Sequence, residues 1–332
     1  MKATDMVAAE SKKLQLDWVR AAGAYPQMRR MVILFATVLA AFAVASSHAQ
    51  LYPAIQLHTE NPPTEAEQKA LVARALANQD IDDDALQVYE RVERHVVHDR
   101  DISPAAGEDH TLRIIPTGAG SARILLAEHG HPTDPAAIQE QMIATEHLME
   151  AAADSNNPQT KRDREKVEKR NSDRKELVAS IQKAFIFTWM GREVRDGRTL
   201  SKFHLDPNPK YQATSIRTEF LKHATATAWV DEKSAQLAQL EAVLMTDISF
   251  VGGVAGKVYR DGHALIEQSE VEPGIWLPRL YKYDFTVRKF LFTSEVHERT
   301  EATRYQRIGN AQQALAAIKR EISAASTPHA QE

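Results

Sequence analysis

The chain has no cysteine among its 332 residues. That excludes structural disulfides, cysteine-ligated metals and thiol catalysis, and it removes the acylated cysteine on which a bacterial lipoprotein depends. Charge of one sign is also missing. Forty-one Lys and Arg face 45 Asp and Glu, for a net charge of −4, so nothing in the balance points to nucleic acid. After Gln50 no apolar run is long enough to span a membrane, which takes roughly 20 residues. Catalytic signatures are absent too: no Gly-x-Ser-x-Gly elbow, no His-Glu-x-x-His and no Gly-rich phosphate loop. The Gly252-Gly253…Gly256 group is too short and suits a strand bend. Beyond a rhythm of hairpins there is no internal repeat. The hydrophobic fraction, 43%, is that of a globular protein.

What is present begins with Met28–Gln50. Arg29 and Arg30 form a basic region and Met31–Ala45 an apolar one. Ser47-His48-Ala49 puts small residues before Gln50. This is the pattern of a secretory signal peptide. The expectation is a signal over 28–49, with Met28 as the true start and 1–27 as an upstream mis-start. The mature protein is then exported, periplasmic and soluble, with no stable membrane span after cleavage.

Residues 50–84 read as a leader and an N-terminal helix. In Thr64–Asn78, Thr64 caps, Glu67 follows three residues later, and Ala66, Leu71, Ala75 and Leu76 form an apolar face. Asp80–Asp84 is expected to end it. Residues 85–310 read as one β domain. Ala85–His98, Leu112–Ile115 and Ala122–Ala127 are strands, the last two joined by a Pro116–Gly120 turn. A charged helical insertion, 132–183, follows: a helix over Asp134–Ala153, a break at Asn156–Pro158, a solvated helix or connector over Lys161–Lys175, and a short helix at Leu177–Lys183.

From Ala184 the chain reads as an antiparallel meander. Phe185–Val194 and Thr199–Leu205 flank Arg195-Asp196-Gly197-Arg198, a strong hairpin signal. Thr214–His223 is a short helix, and Thr225–Val230 and Ala235–Met245 are strands. Asp261-Gly262 marks a second hairpin before His263–Val271, and Glu272-Pro273-Gly274 turns into Ile275–Val287. Arg288–Glu298 and Thr303–Ile308 complete the sheet, and 311–332 is a C-terminal helix or tail. Tyr281, Tyr283, Phe285 and Val287 alternate with Lys282, Asp284, Thr286 and Arg288, so one face is buried and one wet.

Three segments together resemble a known family: FIFTWMGREVRDGRTLSKFHLDPNP (Phe185–Pro209), ATAWVDEKSAQLAQLEAVL (Ala226–Leu244) and GKVYRDGHALIEQSEVEPGIWLPRLYKYDF (Gly256–Phe285). Their order is similar to that of the outer-membrane lipoprotein carrier and sorting superfamily (LolA-like), among uncharacterised exported bacterial proteins. The resemblance implies a mainly β (α+β) fold, a curved antiparallel sheet or half-barrel with helices covering its concave face. It also implies non-enzymatic binding of a lipid or acylated partner in an apolar cavity, for carriage or sensing, with no cofactor.

Each CH₂ taken out of water is worth about 0.8 kcal/mol, so an acyl chain needs no polar motif to bind. The candidate cavity residues are Phe187, Trp189, Trp229, Leu240, Leu244, Trp276, Phe290 and Phe292. A helical plug, Leu177–Lys183 or Thr214–His223, would be displaced by the chain. The alternative is an envelope scaffold using the charged helical segment 138–183 to bind a protein partner. Metal ligation by Glu128, His129, His131 and Asp134 matches no known spacing. His95 and His98, like Glu267 and Glu270, are three apart on a strand and point to opposite faces.

Overall fold

A computed structural model describes residues 62–99, 107–154, 157–250, 256–289 and 292–326. The signal-like segment, the residues before it, the leader up to Asn61, the Gly252-Gly253 pair and Phe290 lie outside them.

Helix α1 runs over Glu65–Ala85. The Thr64 hydroxyl accepts from the Glu67 amide at 3.3 Å and the Glu67 carboxylate accepts from the Thr64 amide at 2.7 Å, a reciprocal cap. The helix does not end at the acidic run, contrary to the sequence expectation. Carboxylates at a helix C-terminus oppose its dipole, but here each finds a partner elsewhere. Asp82 accepts the Trp276 amide at 3.0 Å, Asp83 pairs with Arg174, and Asp84 lies 3.3 Å from Lys175. Tertiary contacts carry the helix through a stretch that local preference would terminate.

After a 3₁₀ turn at Leu86–Val88 come strands β1 (Tyr89–Asp99), β2 (Glu108–Pro116), β3 (Ser121–Glu128) and the short β4 (His131–Pro132). Helices α2 (Pro135–Ala153) and α3 (Pro158–Ala184) follow, each with Pro at its start and an Asp134 or Asn157 cap. The charged run and the short apolar helix expected separately are one continuous α3. Pairs such as Lys166–Asp163 at 2.6 Å and Lys169–Asp173 at 3.5 Å support its solvated part. Its buried residues are Thr160, Leu177, Val178 and Ala184.

Strands β5 (Phe185–Arg195) and β6 (Arg198–Pro207) form the expected hairpin. Asp196 at φ 50° and Gly197 at φ 73° supply the two left-handed residues its turn requires. Helix α4 (Ile216–Glu219) and a 3₁₀ turn (Phe220–His223) lead into β7 (Ala224–Asp231) and β8 (Leu237–Leu244). Then come β9 (Ile248–Phe250), β10 (Gly256–Val258), β11 (His263–Glu272), β12 (Ile275–Lys289), β13 (Phe292–Arg307) and helix α5 (Ala311–Ser326).

The thirteen strands of the described residues join one sheet in the order β4-β3-β2-β1-β13-β12-β11-β8-β7-β6-β5, with β10 paired to β12 and β9 to β10. The pairings are antiparallel. The two ends do not meet, so the sheet is an open half-barrel, and bulges at several pairings bend it. The protein is mainly β with helices on the sheet.

Two local expectations change. Asp261-Gly262 is a turn but not a hairpin: β10 pairs with β9 and β12, while β11 pairs with β8 and β12. The turn is fastened to the end of β8. The Asp261 amide donates to the Leu244 carbonyl at 2.7 Å, and the Leu244 amide donates to the Gly262 carbonyl at 2.9 Å. A Cβ on Gly262 would lie 2.3 Å from the Phe285 ring, so the glycine serves packing as well as turning. The last two expected strands are instead a longer β12 and an unbroken β13, which passes Arg304 at φ 54°.

Side-chain alternation along the register divides the sheet into two faces. On the first, Gln268 donates to Gln79 of α1 at 3.1 Å, and α1 and α3 lie against this face from β12 to β5. On the second, at the β2–β3 end, Ile115, Ala122 and Ile124 pack with Met142 and Met149 of α2 and Ala314 and Ile318 of α5. The helical segment 132–183 is thus split, α2 serving one face and α3 the other. The face carrying α1 and α3 is called the inner face below.

Candidate binding face

Register assembles the inner face from residues far apart in sequence. One cross-strand row is Trp189, Phe203, Ala228, Leu240, Ile266 and Tyr281. Its neighbour is Phe187, Leu205, Ala226, Ala242, Ala264 and Tyr283. The alanines of this second row are 2%, 0% and 0% exposed. Alanine on a strand leaves space above it, and burial this complete means that the space is filled.

Helix α1 lies against β7 and β12, α3 against β5, and the β6–β7 connection against β6 and α3. Phe220 and Leu221 are buried, Leu221 completely, and their 3₁₀ turn touches β6 and α3. Ser215 and Thr218 cap α4 reciprocally. Three polar ties hold the segment: Arg217 to Asp173 at 2.7 Å, Thr214 to Glu176 at 2.9 Å, and the Met245 amide to the His223 carbonyl at 2.8 Å. Leu177 and Val178 of α3 are buried beside it. Burying two large apolar side chains here is worth about 2 kcal/mol each.

Toward β1 the inner face turns polar. Tyr281, Thr300, His95, His110 and Glu128 form a row across five strands. His95 lies 2.9 Å from Glu298, His110 lies 3.0 Å from Glu128, and Arg91 pairs with Glu93 at 2.7 Å. Burial pushes the Tyr281 phenol up to about 12 and Tyr283 well above its ordinary value. Near the α1 end, burial raises Asp82 to about 6, against the Trp276 amide it accepts. Burial likewise raises Asp83 to about 6, against the opposing pull of Arg174.

The residues singled out in the sequence separate. Phe187 and Trp189 are half-buried on the inner face, and Leu240 and Leu244 are buried there. Trp189 donates its indole N–H to Ser201 at 3.2 Å. Trp276 is buried on the same face, with its backbone tied to Asp82 and the Arg198 guanidinium 4.9 Å from its ring centre.

Trp229 stands on the other face, because it neighbours Ala228 in sequence and pairs with Lys202 and Gln239. There it donates to Glu193 at 2.8 Å between Lys202 at 4.9 Å and Arg195 at 5.6 Å. Burial opposes ionisation of Glu193, but hydrogen bonds from Arg195 and Trp229 bring its carboxyl below the usual range. Phe292 is 82% exposed at the start of β13.

Sequence reasoning missed the alanine rows, Asp82 and the polar end of the inner face. The alanines had a signal, Ala224, Ala226 and Ala228 at alternate positions of ATATAWV. The others had none.

The outer face carries a cleft of about 760 Å³ lined by Glu267, Arg279, Leu280, Arg299 and Glu301 among others. Arg279 pairs with Glu267 and Arg299 with Glu301, each at 2.5 Å, so its walls are charged and do not suit an acyl chain. Among the described residues no group of three His, Asp or Glu is placed to hold a metal ion, and no helix is long and apolar enough to cross a membrane.

Fold and face together define an open antiparallel β-sheet protein whose inner face is packed by helices from its own chain. Solved structures similar to it include a LolA superfamily protein from Nitrosomonas europaea, at 8% identity over 72% of this chain and 92% of that one, TM-score 0.25. A lipoprotein-sorting protein domain of the outer membrane from Vibrio parahaemolyticus is 9% identical over 75% of this chain and 100% of that one, TM-score 0.29. A DUF1329 family protein from Desulfovibrio piger is 10% identical over 72% and 92%, TM-score 0.26. At such identities and scores these likenesses carry no argument.

A family model for the bacterial transcriptional activator domain matches residues 7–109. That is under a third of the chain, and the described part of the match is α1, β1 and the first residues of β2. No curated protein matches.

Proposed function

We propose that this chain is an exported, non-enzymatic binding protein of the periplasm, whose inner face receives a lipid or the acyl chain of a lipidated partner. The observation that carries this reading is an inner face that alanines keep shallow and that the chain's own helices cover, with the buried Phe220 and Leu221 packed at β6 and α3. Here the strands leave room, and helices and a short connection held by polar ties cover the face. An acyl chain entering the same space replaces one apolar contact with another, so displacement costs little beyond the ties. The charged cleft on the outer face offers no such exchange.

The test is native mass spectrometry of the protein purified without detergent from its export compartment, followed by titration with a fluorescent fatty acid. The expected result is a bound mass that releases as lipid on denaturation, and saturable fatty-acid binding. Arg217→Ala loosens the connection, and binding is expected to tighten, because less closed-state stability is lost on opening. A clean apo mass with no response to fatty acid or phospholipid sinks the reading.

A second reading has its own observation. Helix α3 is 27 residues long, and only four of them are buried. Its exposed Lys161, Arg162, Glu165, Lys166 and Lys169 suit a protein partner in the envelope. The variant Arg162→Glu with Lys169→Glu should then lose a partner in cross-linking while keeping its lipid binding.

A further inference from the structure

The two inner-face rows change character along their length. From β5 to β11 every member is apolar, and the distance from β5 to β12 is five inter-strand steps, about 24 Å. At β12 the rows reach Tyr281 and Tyr283, stacked with ring centres 6.3 Å apart. Beyond β12 the first row continues as Thr300, His95, His110 and Glu128, and the second as Glu298, Val97 and Glu108. One face thus carries an apolar stretch, a tyrosine divide and a polar stretch in register.

Two features of the divide and the polar stretch point to a ligand. Tyr283 is 7% exposed, and among the described residues neither tyrosine hydroxyl has a hydrogen-bond partner. A buried phenol ordinarily has one. Glu298 and Glu128 each face an imidazole, His95 at 2.9 Å and His110 at 3.0 Å, and among the described residues no lysine or arginine pairs with either. Other carboxylates of the sheet have an arginine: Glu93 has Arg91, Glu267 has Arg279 and Glu301 has Arg299. Arg91 and Arg123 of the same face stand two rows away, on either side of Ile114. Arg174 of α3, whose charge acts on both tyrosines, is held by Asp83.

Charge selects the head group. Carboxylates without a matching base repel a phosphate or a carboxylate and attract a cation. Tyrosine hydroxyl oxygens accept from a protonated amine, and the ring faces attract it. The side chains of Glu298 and His95 are each 16% exposed, which admits a head group and not a folded surface.

We propose that the inner face selects an amphiphile whose head group carries a protonated amine, bound among Tyr281, Tyr283, Glu298 and Glu128 with its acyl chain along the alanine rows. The proposal rests on the acyl-binding reading and names the class of ligand that the same face takes.

The experiment titrates the purified protein by isothermal calorimetry, near neutral pH and below micelle concentrations, with decylammonium, decanol and decanoate. Chain length is the same in all three, so only the head group varies. Decylammonium is expected to bind about tenfold more tightly than decanol, and decanoate more weakly than decanol. Added salt should shrink the preference. Glu298→Gln combined with Glu128→Gln is expected to bring the ammonium-to-alcohol ratio close to one, whereas Glu267→Gln, in the outer-face cleft, leaves it unchanged. Circular dichroism checks the fold of each variant. If the double variant does not fold, Glu128→Gln alone, at a side chain 56% exposed, should lower the ratio about threefold. Equal affinity of the three probes, or tighter binding of decanoate, overturns the proposal and leaves the acyl-binding reading standing. A ratio retained without Glu298 and Glu128, or lost in Glu267→Gln, also overturns it by placing the amine elsewhere. No binding of any probe sinks the acyl-binding reading and the proposal with it.

Discussion

Replacing Asp82 with asparagine should flatten the dependence of stability on pH. Asp82 is 1% exposed, one of its oxygens accepts the Trp276 amide, and the other has no partner. Burial raises its carboxyl from 3.8 to about 6, with the Asp83 charge adding in the same direction. The folded chain therefore holds this proton more tightly than the unfolded chain. Its stabilising effect is complete below pH 3.8 and is lost as pH rises through 6. Linkage between pH 4.5 and 7.5 then removes about 2 kcal/mol of folding free energy through this one group.

Asp82→Asn keeps the oxygen that accepts from Trp276 and removes the ionisation. Its own cost, an extra amide donor in a buried place, does not change with pH and cancels when slopes are compared. Asp83, also raised to about 6, remains in both proteins, and losing the neighbouring Asp82 charge eases its ionisation, which flattens the variant's slope further. Urea unfolding followed by tryptophan fluorescence at pH 4.5, 6 and 7.5 measures the difference. The wild type should lose about 2 kcal/mol more than the variant across that range. Parallel stability curves for the two proteins would refute the reasoning, because they would mean that Asp82 is ionised at no cost in the fold.

Other perturbations test separate links. Leu221→Ala empties a fully buried position in the connection over the inner face and should cost about 2–4 kcal/mol in chemical denaturation. A loss under 1 kcal/mol would mean that the segment is not packed as described. Gly262→Ala drives a methyl into the Phe285 ring and should cost about 1–3 kcal/mol, visible as a lower thermal midpoint. Thr64→Ala removes one half of a reciprocal cap and should cost about 1 kcal/mol, with fraying of α1 in hydrogen exchange. Trp229→Phe leaves the Glu193 carboxylate without its indole donor. Glu193 should then titrate at higher pH by carboxyl NMR, while fatty-acid binding is unchanged because Trp229 stands on the outer face.

Much of this architecture is written locally. Thr64 and Glu67 announce α1, Asp134 and Asn157 announce α2 and α3, and Asp196-Gly197 announces the β5–β6 turn. These signals act over three or four residues, so they can be read without the rest of the chain. The alternation in β12, and with it a half-buried antiparallel sheet, was equally plain. Strand partners and register were not, because they depend on other strands: Tyr89 of β1 pairs with Arg307 of β13, and β11 passes over β10 to pair with β8. Asp261-Gly262 has the chemistry of a hairpin turn, yet the strands it joins do not pair with each other.

The same limit separated the candidate residues. A tryptophan in a strand is certain to pack, but its face follows from the register. One position of offset sent Trp229 to the charged face while Trp189 stayed on the inner one. The acidic end of α1 shows the converse. Helix chemistry says stop at Asp80–Asp84, and Trp276, Arg174 and Lys175, brought in by the fold, let it continue. The sequence by itself determined the helix starts, the tight turns and the mainly β character, because short-range hydrogen bonds and periodicity set them. Only the tertiary structure decided which face each side chain joined and what covered the alanine rows. Those outcomes are settled by pairing between distant strands, which no local pattern specifies.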